Sequence, residues 1–209
     1  MLLYLFTLLW LVNPSMFTVD AQAPLDTARR RLLIASASLV PSVSIGQGIQ
    51  QDPMFWSAPR RVRIERRFAS GVERVDAVYF ADGQLVESGY LQLCRILRDE
   101  RSGTIATMSL RLLDSLCGMQ GYLAGFGMEL PWTATSGYRT PQSNAAIEGA
   151  ALNSEHLKGN ATDGRILGLK QEWVGKLSQW YTRGGLGFYV LSDRLHIDGG
   201  RLREWRSAK

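Results

Sequence analysis

Cysteine and histidine are both scarce in this chain, since its 209 residues include only two of each. Two cysteines, Cys94 and Cys117, are too few for a zinc ribbon, an iron–sulfur cluster or a small scaffold held by several disulfide bonds. A metal ion would therefore have to be held by the two histidines, His156 and His196, together with carboxylates.

A block of charge of one sign is also missing. The 24 Lys and Arg and the 19 Asp and Glu are spread along the chain, the net charge is +5 at pH 7, and 45% of the residues are hydrophobic. This composition excludes an intrinsically disordered chain and a histone-like nucleic-acid binder, so we expect no nucleic-acid partner. The length fits one compact domain, which we expect to be a monomer.

No hydrophobic run is long enough to cross a bilayer, which takes about 20 residues. The longest apolar run, Met1–Val12, is interrupted by Thr7 and has no basic residue before it. The next segment, Arg29-Arg30-Arg31-Leu32-Leu33 followed by an uncharged stretch to about Ile45, resembles a twin-arginine export signal. A basic flank on a buried helix is the alternative.

We therefore predict three parts of the chain. Residues 1–46 are an N-terminal extension and export signal, residues 47–59 are a linker, and residues 60–209 are the functional domain. Whether residues 1–28 are a long first region of the signal or an extension from a misassigned start stays open. The prediction implies a periplasmic protein with no stable membrane insertion once the signal is removed.

Alternating hydrophobic and polar residues predict a β-hairpin at the start of the domain. Val62, Ile64 and Phe68 alternate with charged residues, and residues 75–80 form the returning strand. The arginines of the first strand form either a patch for an anionic polymer or an ordinary solvated face. Helices are predicted from Leu91 to about residue 101 and from Leu110 to about residue 121, and their apolar positions include both cysteines. Buried thiols are favoured there over a disulfide bond.

The chemistry of the chain is concentrated in residues 133–166 and around His196. His156 precedes Asp163 by seven positions, and His196 lies in a predicted strand that ends at a glycine turn. Two histidines and one carboxylate, with one open position for water, are typical of a catalytic zinc site. On spacing alone, hydrogen-bonded structural histidines remain an open alternative.

Several motifs in order favour the metal site. The sequence has SGYR at residues 136–139, SxHxxGxAxD at 154–163, GGLGFY at 184–189 and HxD at 196–198. This series resembles the zinc peptidases that act on peptidoglycan, a superfamily with a D-alanyl-D-alanine carboxypeptidase branch and a murein endopeptidase branch. The exported murein endopeptidase branch is the more similar, and the resemblance covers residues 60–205.

The resemblance implies a set of roles. One zinc ion would be bound by His156, Asp163 and His196, with Arg139 binding a substrate carboxylate or the oxyanion. Ser154 would brace the ligand loop by hydrogen bonds. The implied fold is α+β, with a small antiparallel sheet and helices packed on one side, as in hedgehog and D-Ala-D-Ala peptidases.

The implied function is hydrolysis of peptide cross-links or stem peptides in bacterial peptidoglycan. The alternatives are an inactive module that binds the cell wall and a D-alanyl-D-alanine carboxypeptidase. The aromatic pairs at residues 180–181 and 188–189 would line a substrate cleft or belong to the core.

Two aspartates are candidates for the general base. Strand residues two positions apart share a face, so Asp198 is expected to point into the same cleft as His196, and we favour it. Asp193 is the rival, because it occupies the position at which the carboxypeptidase branch has a glutamate.

Overall fold

The computed structural model describes residues 57–182 and 184–208. The predicted export signal and most of the predicted linker lie outside these residues. Among the helices that are described, none is both long enough and apolar enough to cross a membrane.

The domain begins with the predicted β-hairpin. Strands β1 (Arg60–Phe68) and β2 (Gly71–Ala81) are antiparallel, and Ile64 lies opposite Val75. A second turn follows at Asp82 and Gly83, both in the left-handed region, and the two-residue strand β3 (Gln84–Leu85) pairs back onto β2. The prediction of a hairpin from the alternating pattern is confirmed.

Three longer helices pack around one core. They are α1 (Glu87–Ile96), α2 (Leu110–Ala124) and α4 (Gln171–Thr182). Between them lies the short α3 (Pro141–Ala145), which begins with Pro141 and is capped by the Thr140 hydroxyl accepting from the Ser143 amide. A 3-10 helix spans Glu155–Lys158.

The remaining strands complete a single eight-stranded sheet. They are β4 (Trp132–Ser136), β5 (Ala161–Arg165), β6 (Gly185–Tyr189), β7 (Arg194–Asp198) and β8 (Arg203–Ser207). The strand order is β3-β2-β1-β4-β5-β7-β6-β8, with β1–β4 and β6–β8 parallel and the other neighbours antiparallel.

The predicted α+β class is confirmed, but the expected small antiparallel sheet is wrong in size and in strand direction. The connection from β1 to β4 contains β2, β3, α1 and α2, which is long enough for the parallel crossover that joins the hairpin to the strands of the site. Strand β8 then extends the sheet at its other end.

Successive side chains of β7 point alternately to the hydrophobic core and to the face that carries the site. Leu195 and Ile197 of β7 are fully buried members of the hydrophobic core, which also contains Val174 and Leu177 of α4. Because successive side chains point to opposite faces, His196 and Asp198 belong to the other face of the sheet.

The two cysteines are buried, and three arginines of β1 form ion pairs. Cys94 and Cys117 are buried free thiols, as favoured from the sequence. Arg60 pairs with Asp114, and Arg61 and Arg63 pair with Asp76, each at 2.5–3.3 Å. These ion pairs favour the alternative of an ordinary solvated strand face over an anion-binding patch.

Candidate metal centre

Three side chains from three elements converge on one point. His156 lies on the 3-10 helix, Asp163 at the centre of β5 and His196 at the centre of β7, and all three are buried. Asp163 and His196 are directly opposite each other in the antiparallel register, so their side chains share one face. The described residues thus bring together the three ligands predicted from the sequence.

The loop that carries His156 is fixed at both ends. The Ser154 hydroxyl accepts a hydrogen bond from the His156 amide at 3.3 Å. Gly159 ends the 3-10 helix at φ 65°, and a Cβ there would lie 2.2 Å from the carbonyl oxygen of Thr107. The serine and the glycine of the SxHxxGxAxD motif therefore hold the backbone on either side of the histidine.

Hydrogen bonds fix which nitrogen of each histidine faces the cluster. Nδ1 of His156 lies 2.6 Å from the carbonyl oxygen of Gly137, which can only accept, so Nδ1 carries the proton and Nε2 keeps its lone pair. Nε2 of His196 donates to Oδ2 of Asp198 at 2.8 Å, which leaves Nδ1 of His196 as its inward atom. These tautomers follow from the partners that each ring nitrogen has.

The inward atoms have the spacing of metal ligands. Nε2 of His156 is 3.2 Å from Nδ1 of His196, and Oδ1 of Asp163 is 3.2 Å and 2.9 Å from those two nitrogens. In a tetrahedral site with bonds of about 2.0–2.1 Å, ligand atoms lie about 3.3 Å apart. If both nitrogens are unprotonated, two lone pairs and an anionic oxygen this close repel one another unless a cation lies between them. Without a metal, a proton on Nδ1 of His196 meets this need, and a metal ion fits the same place.

The electrostatics of the cluster also favour a cation. Burial alone raises the pKa of Asp163, but the charge and hydrogen bonds of the two histidines hold it well below its ordinary value. Burial lowers the pKa of His156. Burial also acts to lower the pKa of His196, yet the hydrogen bonds that it donates to the carboxylates of Asp163 and Asp198 outweigh burial and raise that pKa to about 9. Two buried carboxylates beside one imidazole thus stabilise positive charge there.

Arg139 lies beside the cluster, just after β4. Its Nε donates to the Ser136 hydroxyl at 2.9 Å, and its Nη2 donates to Oδ2 of Asp163. Its backbone amide donates to the carbonyl of His156 at 3.1 Å. Arg139 is therefore tied to two of the candidate ligands while its side chain remains 15% exposed.

Sequence reasoning missed Asp99, which holds the segment that carries Arg139. Oδ2 of Asp99 accepts from the Thr140 amide at 2.6 Å, and Oδ1 accepts from the Arg101 amide at 2.8 Å. Burial opposes ionisation of Asp99, but hydrogen bonds from Thr140, Ser143 and the Ser102 amide lower its pKa to about 2. An aspartate four residues before Gly103 signals a turn in the sequence, whereas its contact with residue 140 has no sequence signature.

Asp198 shares the face of His196, as predicted, but its oxygens are already occupied by donors. Besides His196, it accepts from the amides of Gly185 at 3.1 Å and Gly200 at 2.8 Å. Arg203 donates to both of its oxygens, at 3.1 and 2.6 Å. These contacts suit a carboxylate that orients a histidine ligand.

Asp193 lies on the turn between β6 and β7 at φ 46°. Its side chain is 67% exposed and lies 3.7 Å from Arg165. It is not among the residues that line the cleft beside Asp163 and Arg139. The role of general base therefore stays a prediction for both aspartates.

A cleft of about 590 Å³ opens beside Asp163 and Arg139. Of the aromatic residues predicted to line a cleft, only Tyr189 lines this one. Trp205 lines it as well. Tyr181 and Phe188 are buried in the core, and Trp180 packs against it. The cleft wall is rich in charge, with side chains from Arg66, Asp99, Glu100, Arg101, Arg139, Glu148, Asp163, Arg194 and Arg206.

Comparison with known proteins finds matches to a single family. The family model described as peptidoglycan L,D-endopeptidase MepK matches residues 57–205. The peptidoglycan L,D-endopeptidases MepK of Escherichia coli K12 and of Shigella flexneri are each 32% identical over 187 residues, covering 86% of this chain and 98% of theirs. A probable peptidoglycan L,D-endopeptidase MepK from Haemophilus influenzae is 31% identical over 53% of this chain and 61% of its own length. No solved structure matches the chain significantly.

Proposed function

This chain belongs to the peptidoglycan L,D-endopeptidase MepK family, and on that premise we propose that it is a murein endopeptidase that hydrolyses peptide cross-links or stem peptides with a zinc ion. The observation that carries the proposal is the convergence of His156, Asp163 and His196, with the two imidazole lone pairs and one carboxylate oxygen within 3.2 Å of one another. Two nitrogens and one oxygen are a ligand set that zinc accepts.

When bound, the zinc ion supplies a Lewis acid and a site at which water is activated. The residues of the chain prepare that site. With a metal bound, Nε2 of His156 and Nδ1 of His196 would face it without protons, and the Gly137 carbonyl and Asp198 hold the protons on the far side of each ring. Arg139 donates from its guanidinium to a substrate carbonyl oxygen, and its position next to Asp163 suits that role.

Asp198 is assigned to orienting His196 rather than to accepting the proton of water. A carboxylate that takes hydrogen bonds from a ring nitrogen, two amides and an arginine has little capacity left for another proton. Burial raises its pKa, but these donors outweigh burial and lower it. Orientation by a carboxylate is a common arrangement behind a histidine ligand of zinc.

Such an enzyme works where peptidoglycan is, outside the cytoplasm. The three arginines at residues 29–31 and the uncharged stretch after them support export by the twin-arginine route to the periplasm. Fusing residues 1–48 to a reporter that is exported only when folded, with Arg29 to Arg31 changed to lysine as the control, tests the route.

Digestion of purified sacculi tests the function. The zinc-loaded chain is expected to release peptide products, a chelator is expected to abolish the release, and added zinc is expected to restore it. His156→Ala is the matched inactive control. Binding to sacculi without release of any peptide would overturn the proposal in favour of a wall-binding module, and release of only free D-alanine would indicate a carboxypeptidase.

A further inference from the structure

Arg194 lies on the same strand and the same face as the metal ligand His196. It is two residues before His196 on β7, which corresponds to about 7 Å along an extended strand. Its register partner is Tyr189 of β6, and its guanidinium lies 5.5 Å from the centre of the Tyr189 ring. Both residues line the cleft.

The charge of Arg194 is not neutralised by a carboxylate of the described chain. Its Nε donates to the Ser192 hydroxyl at 3.0 Å, and this is the one side-chain hydrogen bond of Arg194 seen among the residues that the structure describes. Three other arginines of the cleft do have acidic partners: Arg66 pairs with Glu100 at 3.6 Å, Arg139 with Asp163, and Arg206 with Glu172. Arg194 thus retains two terminal nitrogens as donors at the wall of a cleft that the candidate ligand Asp163 also lines.

An arginine in this position suits one kind of ligand. Its guanidinium is planar and always charged, and a pair of its N–H groups matches the two oxygens of a carboxylate. The contact with Tyr189 and the hydrogen bond to Ser192 restrict its motion, so less conformational entropy is lost when a ligand binds. Arg139 is less suited to bind a free carboxylate, because one of its terminal nitrogens already donates to Asp163.

We propose that Arg194 is a specificity-determining residue that binds a free carboxylate of the peptide substrate, one or two residues from the bond that is cut. The spacing follows from the distance along β7, since each residue of an extended peptide spans about 3.4 Å. This inference rests on the proposed function, because it assumes that the scissile amide lies next to the three metal ligands. The carboxylate is either that of a side chain or that of the chain end.

Three synthetic peptides test the inference with the zinc-loaded full chain. The first is a cross-linked stem peptide with a free side-chain carboxylate and a free C-terminus, the second has only the side-chain carboxylate amidated, and the third has only the C-terminus amidated. The wild-type chain is expected to cleave the first peptide and to lose at least about tenfold in kcat/KM on one of the amidated peptides, which identifies the carboxylate.

Substitutions complete the test. Arg194→Gln is expected to lose a similar factor on the first peptide, mainly through KM, and to match the wild type on the peptide that lacks the critical carboxylate. Arg194→Lys should recover part of the loss because it keeps the charge. Arg67→Gln, a change on the exposed part of β1, is the matched control and should leave all rates unchanged. The zinc content of each variant is measured to show that the site is intact.

The outcomes separate this inference from the proposed function. Equal cleavage of all three peptides by the wild type, or an equal loss on all three by Arg194→Gln, would overturn the role of Arg194 alone. Cleavage of none of the three by the zinc-loaded wild type would overturn the proposed function and this inference with it.

Discussion

Nδ1 of His196 lies 2.9 Å from Oδ1 of Asp163, across neighbouring strands in which the two residues are directly opposite each other. The register of β5 and β7 therefore builds two thirds of the candidate metal site without any loop. His156 is the third ligand, and its position depends on the short segment between Ser154 and Gly159.

Replacing Asp198 by asparagine should weaken metal binding. An asparagine in the same position keeps the shape but loses the charge that holds the proton on Nε2 of His196, and loss of such a support typically costs about 10–100-fold in metal affinity. We expect zinc affinity, measured by competition with a chromophoric chelator, to fall by this factor, and activity to recover at high zinc.

The same variant separates the two roles considered for Asp198. If Asp198 were the general base, Asp198→Asn would bind zinc normally and lose kcat at saturating metal. Asp193→Asn tests the rival base: because Asp193 lies on an exposed turn, we expect neither zinc affinity nor kcat to change, and a loss of kcat in this variant alone would identify Asp193 as the base.

Gly159→Ala should destabilise the ligand loop. The new Cβ would be forced into the left-handed region at φ 65° and would lie 2.2 Å from the Thr107 carbonyl oxygen, so both strain and overlap oppose it. We expect the free energy of unfolding to fall by on the order of 3 kcal/mol, measured by urea denaturation. Gly103→Ala is the control, because Gly103 has a similar φ of 70° and no atom within 4 Å of the new Cβ. Equal losses for the two variants would show that the contact with Thr107 contributes nothing.

Much of the site was predictable because it depends on short spacings. The SxHxxGxAxD motif places a cap, a ligand and a left-handed glycine within ten residues, and strand parity correctly placed His196 and Asp198 on one face. The partners of Asp198 were not predictable, because Arg203 reaches it from a different strand and Gly185 donates from a third. Such contacts depend on the pairing of β6 with β7 and β8, which no local pattern specifies.

The size of the sheet was missed for the same reason. Strands β6 and β8 are parallel neighbours although β7 lies between them in sequence, and β1 joins β4 after an intervening segment that contains two helices. Local alternation predicts that a strand exists and which face is buried, but not which distant strand it pairs with. The hairpin of β1 and β2 was predicted correctly because its pairing is local.

Asp99 should make the free energy of unfolding depend on pH under acidic conditions. Its folded pKa, about 2, is below its ordinary value, so the carboxylate stabilises the fold above that ordinary value and the stabilisation is lost as the pH falls toward 2. Asp99→Asn should lower the free energy of unfolding at pH 7 by on the order of 2 kcal/mol and make its decline between about pH 4 and pH 2 less steep. Thermal unfolding across this range measures both effects. The control is Asp82→Asn on an exposed turn, and an unchanged acid profile in Asp99→Asn would contradict the assignment.

The zinc content of the purified chain tests the central claim most directly. After incubation with zinc and removal of loosely bound metal, we predict one zinc ion per chain in the wild type. His156→Ala and His196→Ala should each retain less than about a tenth of it, while Arg67→Gln should keep the full amount. Retention of one zinc ion per chain by both histidine variants would contradict the claim that His156, Asp163 and His196 form the metal site.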